Sequence, residues 1–287
     1  KNRYRDILPP EGSRVVLQVR EGKDEDGADY VNANWVDGRV PGAERRYIAT
    51  QGPLVQTVTD FWRMVWQERA AVVVNLTKEV EMGRQKCEKY YPDSPEEPEV
   101  HGVFEVHLAA TDAQPDYVVR TFLLRNVELR EERTVRQYHY VGWPDRGLPE
   151  KCQVFLRIVE EAAAHTPWWT DVGTVRAERS PMVVHCSAGV GRTGVFILVH
   201  SIIEMVPYAR AHPTSSANLV TMQDDAPLIN VPATLLAIRR SRPRFIQNSA
   251  QLKFCYLALS DYFNKHATAD EVMRSHRDRL REQNLTS

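Results

Sequence analysis

The chain has 287 residues, of which 43% are hydrophobic and 26% charged, an ordinary composition for a globular protein with a core of useful size. Lysine and arginine total 37 against 38 aspartates and glutamates, so no global field recruits nucleic acid or an anionic membrane, and any anion site must be local. No apolar run approaches the roughly 20 residues of a membrane span, which excludes a spanning segment within this stretch of chain.

In chain order, Lys1 to Asp6 is charged and unlike a signal peptide; because the chain opens without Met, it is expected to be a piece of a longer protein. Residues 1–50 are rich in Gly, Asp and Arg and read as loop and short strands. Thr57 to Gln67 places Val58, Phe61, Trp62, Val65 and Trp66 at helical spacing. Ala71 to Leu76 is a β-branched run suited to a strand buried on both faces. After a polar, proline-bearing stretch from Tyr91 to Pro98, segments 101–109, 116–124 and 134–141 alternate as antiparallel strands do. Val154 to Ala164 has the pattern of an amphipathic helix.

Met182 to His185 then reads as a strand, followed by a Gly-bearing loop and a helix over Val195 to Val206. A connection containing Pro and Ser is expected from Pro207 to Pro232, with helices over Leu235 to Arg242 and Ser249 to Phe263. Thr268 to Glu271 forms a capping box that opens a charged surface helix to about Gln283. Strands mixed with helices, with no linker-like gap, predict one α+β domain over 1–265 and a charged helical extension over 266–287. The four cysteines, Cys87, Cys152, Cys186 and Cys255, have neither C-x-x-C pairing nor zinc-ligand spacing, so no metal site and a reducing compartment are expected.

The chemistry concentrates in His185-Cys-Ser-Ala-Gly-Val-Gly-Arg-Thr-Gly194. A cysteine directly after a buried strand, with an arginine six positions later at a helix start, builds an anion site from backbone N–H groups of 187–192, a helix N-terminus and a guanidinium. The same elements favour a thiolate at Cys186, the form in which sulfur is a nucleophile. Arg192 offers a planar fork for two phosphate oxygens. Gly189, Gly191 and Gly194 let the backbone curl and leave room for the ligand. Residues 189–194 also match G-x-G-x-x-G, but a dinucleotide site needs an acid about 20 positions on, where Thr214 stands. A Cys/His protease pair fails because His185, the neighbour on a strand, points to the opposite face. It is expected to set the loop's geometry by hydrogen bonding.

His185-Cys186-x5-Arg192-Thr193-Gly194 resembles the signature loop of the protein tyrosine phosphatases. Further segments resembling that family occur in order across 1–262: Asn2-Arg-Tyr-Arg-Asp6, Asp29-Tyr-Val-Asn-Ala-Asn34, Tyr47-Ile-Ala-Thr-Gln-Gly-Pro53, Trp143-Pro-Asp145 and Gln247-x3-Gln251. The resemblance implies an α+β catalytic domain, a highly twisted mixed β-sheet flanked by helices, with a strand–phosphate loop–helix active site and neither metal nor cofactor.

It also implies roles. Cys186 is the nucleophile, and Arg192 binds phosphate with the loop residues Ser187, Ala188, Gly189, Val190 and Gly191. Asp145, on a loop opened by Trp143, is the general acid and then the base. Gln247 positions the hydrolytic water beside Gln251, and Thr193 stabilises the departing thiolate. Glu81 orients Arg192, Tyr4 stacks on the phosphotyrosine ring, and Asp6 holds the peptide backbone. The implied partners are phosphotyrosine proteins or peptides, acted on by a monomer in the cytoplasm or on the cytoplasmic face of a membrane. A catalytically dead binding module would be expected to lack Cys186, Asp145 or Arg192, and a dual-specificity enzyme conflicts with Tyr4. Departures from the family pattern are Arg146, Met82, Arg244, Asn248 and the long stretch 207–230.

Overall fold

The structure, a computed structural model, describes residues 1–19, 27–37, 46–144, 147–166, 168–170, 177–211, 220–223 and 226–266. Short strands open the chain, β1 (Arg14–Val16), β2 (Tyr30–Val36) and β3 (Tyr47–Thr50), before helix α1 (Val58–Gln67) and strand β4 (Val72–Asn75). A small ribbon, β5 (Val80–Glu81) with β6 (Arg84–Gln85), precedes four strands: β7 (Glu99–His101), β8 (Phe104–Ala113), β9 (Tyr117–Asn126) and β10 (Glu131–Tyr140). Helix α2 (Gln153–Ala164) and the pair β11 (Trp168–Thr170) and β12 (Ala177–Arg179) lead to β13 (Met182–His185) and α3 (Gly191–Ala211). The hairpin β14 (Val220–Gln223) and β15 (Ala226–Ile229), α4 (Val231–Ser241) and α5 (Ser249–Lys265) follow.

Among the described residues the main sheet has nine strands, in the order β1-β2-β3-β13-β4-β10-β9-β8-β7. Its centre, β3-β13-β4-β10, is parallel, and both flanks are antiparallel. Parallel strands have both faces covered and so carry continuous apolar runs. Val72–Asn75 and Met182–His185 are accordingly buried at every position.

Alternation along these strands sorts side chains into two cores. Ile48, Val73 and Val183 meet Phe61, Trp62 and Val65 of α1. Tyr47, Val72, Val74, Met182 and Val184 meet Phe155 and Ile158 of α2, Phe196 and Val199 of α3, and Phe254 of α5. Each fully buried side chain of this kind contributes about 1.5–3 kcal/mol. The α3 segment Val195 to Val199 is buried all round, as expected of a helix enclosed between a sheet and other helices.

Among the described residues the predicted elements exist, with shifted bounds. Segment 101–109 divides at a tight turn, where Gly102 has φ +65° and His101 pairs with Phe104. Helix α3 starts at Gly191 and passes Pro207 to reach Ala211, and β14, β15 and the start of α4 occupy the expected connection. A proline forfeits one backbone hydrogen bond, and the buried turns before it hold the helix in place. The capping box at Thr268 and the charged helix after it lie outside the described residues.

Candidate active site

Between the end of β13 at His185 and the start of α3 at Gly191, the chain turns through Cys186 to Val190. Strand alternation puts Cys186 in the core with Met182 and Val184, whereas His185 turns to the Phe61 side. The His185 ring is fully buried, and burial pushes its pKa down to about 3, so it is neutral. Its Nδ1–H faces the Cys186 carbonyl at 3.3 Å, which leaves Nε2 to accept from the Tyr90 hydroxyl at 2.8 Å. Tyr90 in turn accepts from the Gln137 amide at 2.8 Å. The chain entering the loop is thus held by a satisfied buried network.

The Thr193 hydroxyl donates to Cys186 Sγ at 3.2 Å. Gly189 has φ +70°, and a Cβ there would lie 2.1 Å from the Thr50 carbonyl oxygen. At Gly191 a Cβ would meet Gln247 Oε1 at 2.7 Å and Gln251 Nε2 at 3.0 Å, so both glutamines lie directly over the start of α3.

The guanidinium of Arg192 is fixed by the small ribbon. Its Nη1 donates to Glu81 Oε1 at 2.5 Å and to the Leu76 carbonyl at 3.0 Å; Nη2 donates to Glu81 Oε2 at 3.0 Å. Glu81 is buried and also accepts from the Thr77 hydroxyl at 3.0 Å. The ribbon turns on Met82 and Gly83, with φ +51° and +70°, the sign pattern of a type I′ hairpin turn. Met82 therefore supplies half of the turn that presents Glu81. A two-pronged, charge-assisted contact of this kind fixes the fork's direction. Glu81→Gln should raise KM on the order of tenfold by freeing that fork, as steady-state kinetics on a phosphate ester would read.

A cleft of about 440 Å³ opens above the sulfur. Tyr4, Asp6, Glu81, Trp143, Cys186, Ser187, Ala188, Gly191, Arg192, Gln247 and Gln251 line it. His185, Thr193, Gly189 and Val190 stand outside that lining; His185, Thr193 and Val190 are buried. The Tyr4 and Ser187 hydroxyls are 2.9 Å apart. Trp143 is buried against Phe155 and Phe254, donates to the Gly147 carbonyl at 3.3 Å, and lies 5.4 Å from the Arg192 guanidinium. Asp145 and Arg146 lie outside the described residues, and the neighbouring Gly147 lines the cleft.

Two further departures have structural accounts. Asn248 is the N-cap of α5, its side chain accepting from the Gln251 N–H at 2.9 Å, which a threonine hydroxyl also does at such a position. Arg244 pairs with Asp6 at 2.5 Å across the cleft mouth, and both side chains are more than half exposed. An exposed pair is worth about 0–1 kcal/mol and exchanges readily for a ligand. The sequence reading missed Lys86 and Thr77 on the cleft wall, Tyr90 behind His185, and Arg242 behind the loop. Lys86 closely follows Glu81 in the chain, but nothing in linear spacing marks Tyr90 or Arg242.

On this α+β scaffold a buried sulfur at a strand–loop–helix turn shares one cleft with a guanidinium held by a carboxylate. The family model described as protein-tyrosine phosphatase matches residues 1–261. Over 271 residues the chain is 35% identical to receptor-type tyrosine-protein phosphatase S of Gallus gallus, an alignment covering 93% of this chain and 16% of that relative. The chain belongs to the protein-tyrosine phosphatase family. It spans about a sixth of that relative's length. Among the described residues, no helix is long and apolar enough to cross a membrane.

Proposed function

We propose that this domain hydrolyses phosphotyrosine in proteins through a cysteinyl-phosphate at Cys186. The observation that carries the reading is the Cys186 sulfur on the floor of the cleft, accepting from Thr193, with Arg192 clamped by Glu81 on the wall. In the first step the sulfur lone pair forms an S–P bond while the P–O bond to tyrosine breaks. Asp145 gives its proton to the departing phenolic oxygen. In the second step water, positioned by Gln247, attacks phosphorus; Asp145 takes a proton from it, and the S–P electron pair returns to sulfur, where the Thr193 hydroxyl steadies the charge.

Arg192 and the backbone N–H groups of 187–192 hold the phosphate oxygens as charge shifts among them. Tyr4 walls the cleft at a depth a phosphoserine side chain does not span. Asp6, displaced from Arg244, takes the peptide backbone. The partners are phosphotyrosine proteins or peptides, met by a monomer in signal transduction at the cytoplasm or the cytoplasmic face of a membrane.

The test is hydrolysis of matched phosphotyrosine and phosphoserine peptides. Turnover of the first alone is expected; equal rates would favour a dual-specificity enzyme, and no turnover a binding module. Tyr4→Leu should lower kcat/KM for the phosphotyrosine peptide about tenfold, the size of a lost ring contact. Inhibition by inorganic phosphate, which has no ring, should stay near wild type.

A further inference from the structure

Arg242 follows α4 immediately, and its side chain is buried. Its Nε–H donates to the Gly189 carbonyl at 2.8 Å and its Nη2 to the Ala188 carbonyl at 3.0 Å. The same guanidinium reaches Asn34 Oδ1 at 2.7 Å and Asn32 Oδ1 at 2.8 Å. In a planar trans peptide the carbonyl and the next N–H point in opposite directions. Two carbonyls drawn to Arg242 therefore turn the Gly189 and Val190 N–H groups to the other side of the loop.

Charge gives a second, independent argument. All four acceptors are neutral, and among the described residues no carboxylate pairs with Arg242. The other guanidiniums at the cleft differ: Arg192 is offset by Glu81, and Arg244 by Asp6. Burial lowers the pKa of Arg242 to about 10, which leaves it charged at neutral pH, and an anion at Cys186 favours that charge. A buried cation is costly unless an anion answers it, and here the answering anions are those the loop holds.

We propose that Arg242 is a positioning residue of the phosphate site, aiming the loop amides and lending an unneutralised positive charge to the Cys186 thiolate and the bound phosphate. The inference rests on the phosphatase reading of the loop.

Asn34→Asp tests it, because the new carboxylate keeps an acceptor on Arg242 while cancelling its charge. Asn34 Nδ2 donates to Ser13 Oγ at 3.0 Å and to the Pro10 carbonyl at 3.3 Å; the Ser13 hydroxyl can turn to donate to a carboxylate. With folding checked by thermal melting, two quantities are read: the inhibition constant of inorganic phosphate and the rate of iodoacetamide alkylation at Cys186 at neutral pH. The constant is expected to rise, and the rate to fall, about tenfold, with less than about threefold change for Asn34→Ser, which adds no charge.

A folded Asn34→Asp protein unchanged in both overturns the proposal. Should that variant not fold, Arg242→Lys, which keeps the charge, is expected to alkylate faster than Arg242→Gln, and equal rates overturn it. A wild-type domain that neither turns over phosphotyrosine nor is inhibited by phosphate would instead overturn the phosphatase reading.

Discussion

Cys186→Ser is expected to lower phosphotyrosine turnover by on the order of 10⁴-fold or more while leaving the protein folded and able to bind its substrate. The exchange replaces sulfur by oxygen in a site that is 5% exposed, so packing against Met182 and Val184 changes little. Thr193 can still donate to the new oxygen, and Glu81 still holds Arg192. What is lost is sulfur as the proposed nucleophile, because a hydroxyl in its place stays protonated and attacks phosphorus poorly. Turnover and phosphopeptide affinity should therefore separate: kcat collapses, while a titration by calorimetry still shows binding. A serine variant that retained full turnover would remove the nucleophile from the mechanism, and one that lost binding as well would point to a folding defect.

Gly189→Ala should have a comparably large effect for a purely steric reason. The added Cβ would stand 2.1 Å from the Thr50 carbonyl oxygen and 2.5 Å from its carbon, both backbone atoms. Thr50 cannot retreat easily, since it pairs with Ala33 on one side and His185 on the other. The loop must move instead, and φ +70° adds about 1–2 kcal/mol of strain for any residue with a Cβ. A shift of about 1 Å in groups that position a reacting phosphate costs on the order of 100-fold in rate, and more is expected here because destabilisation accompanies it. Gly27→Ala is the control, with φ +73° and nothing within 4 Å of an added Cβ. It should lose stability by the strain alone and keep full kcat, as melting curves and initial rates would show.

Much of this molecule was legible in linear order because its decisive features are local. A short apolar run rich in valine suits a strand buried on both faces, and Val72–Asn75 and Met182–His185 follow that rule. The proposed phosphate loop is ten contiguous residues, so its glycines, sulfur and guanidinium arrive together, and a period of two was enough to send His185 away from Cys186. Glu81, Tyr4 and Gln247 were reached through resemblance, not spacing, because each comes to the cleft from a distant segment.

Residue types and their spacing determined the strand, the turn, the sulfur and the arginine that follows it. Only the folded chain decided what answers them: Tyr90 completing the bonds of His185, Asp6 held by Arg244, and Arg242 gripping two loop carbonyls from 53 and 54 positions away. The division has one cause. A buried polar atom must find a partner wherever packing places one, and packing sets distance in space, which separation along the chain does not encode.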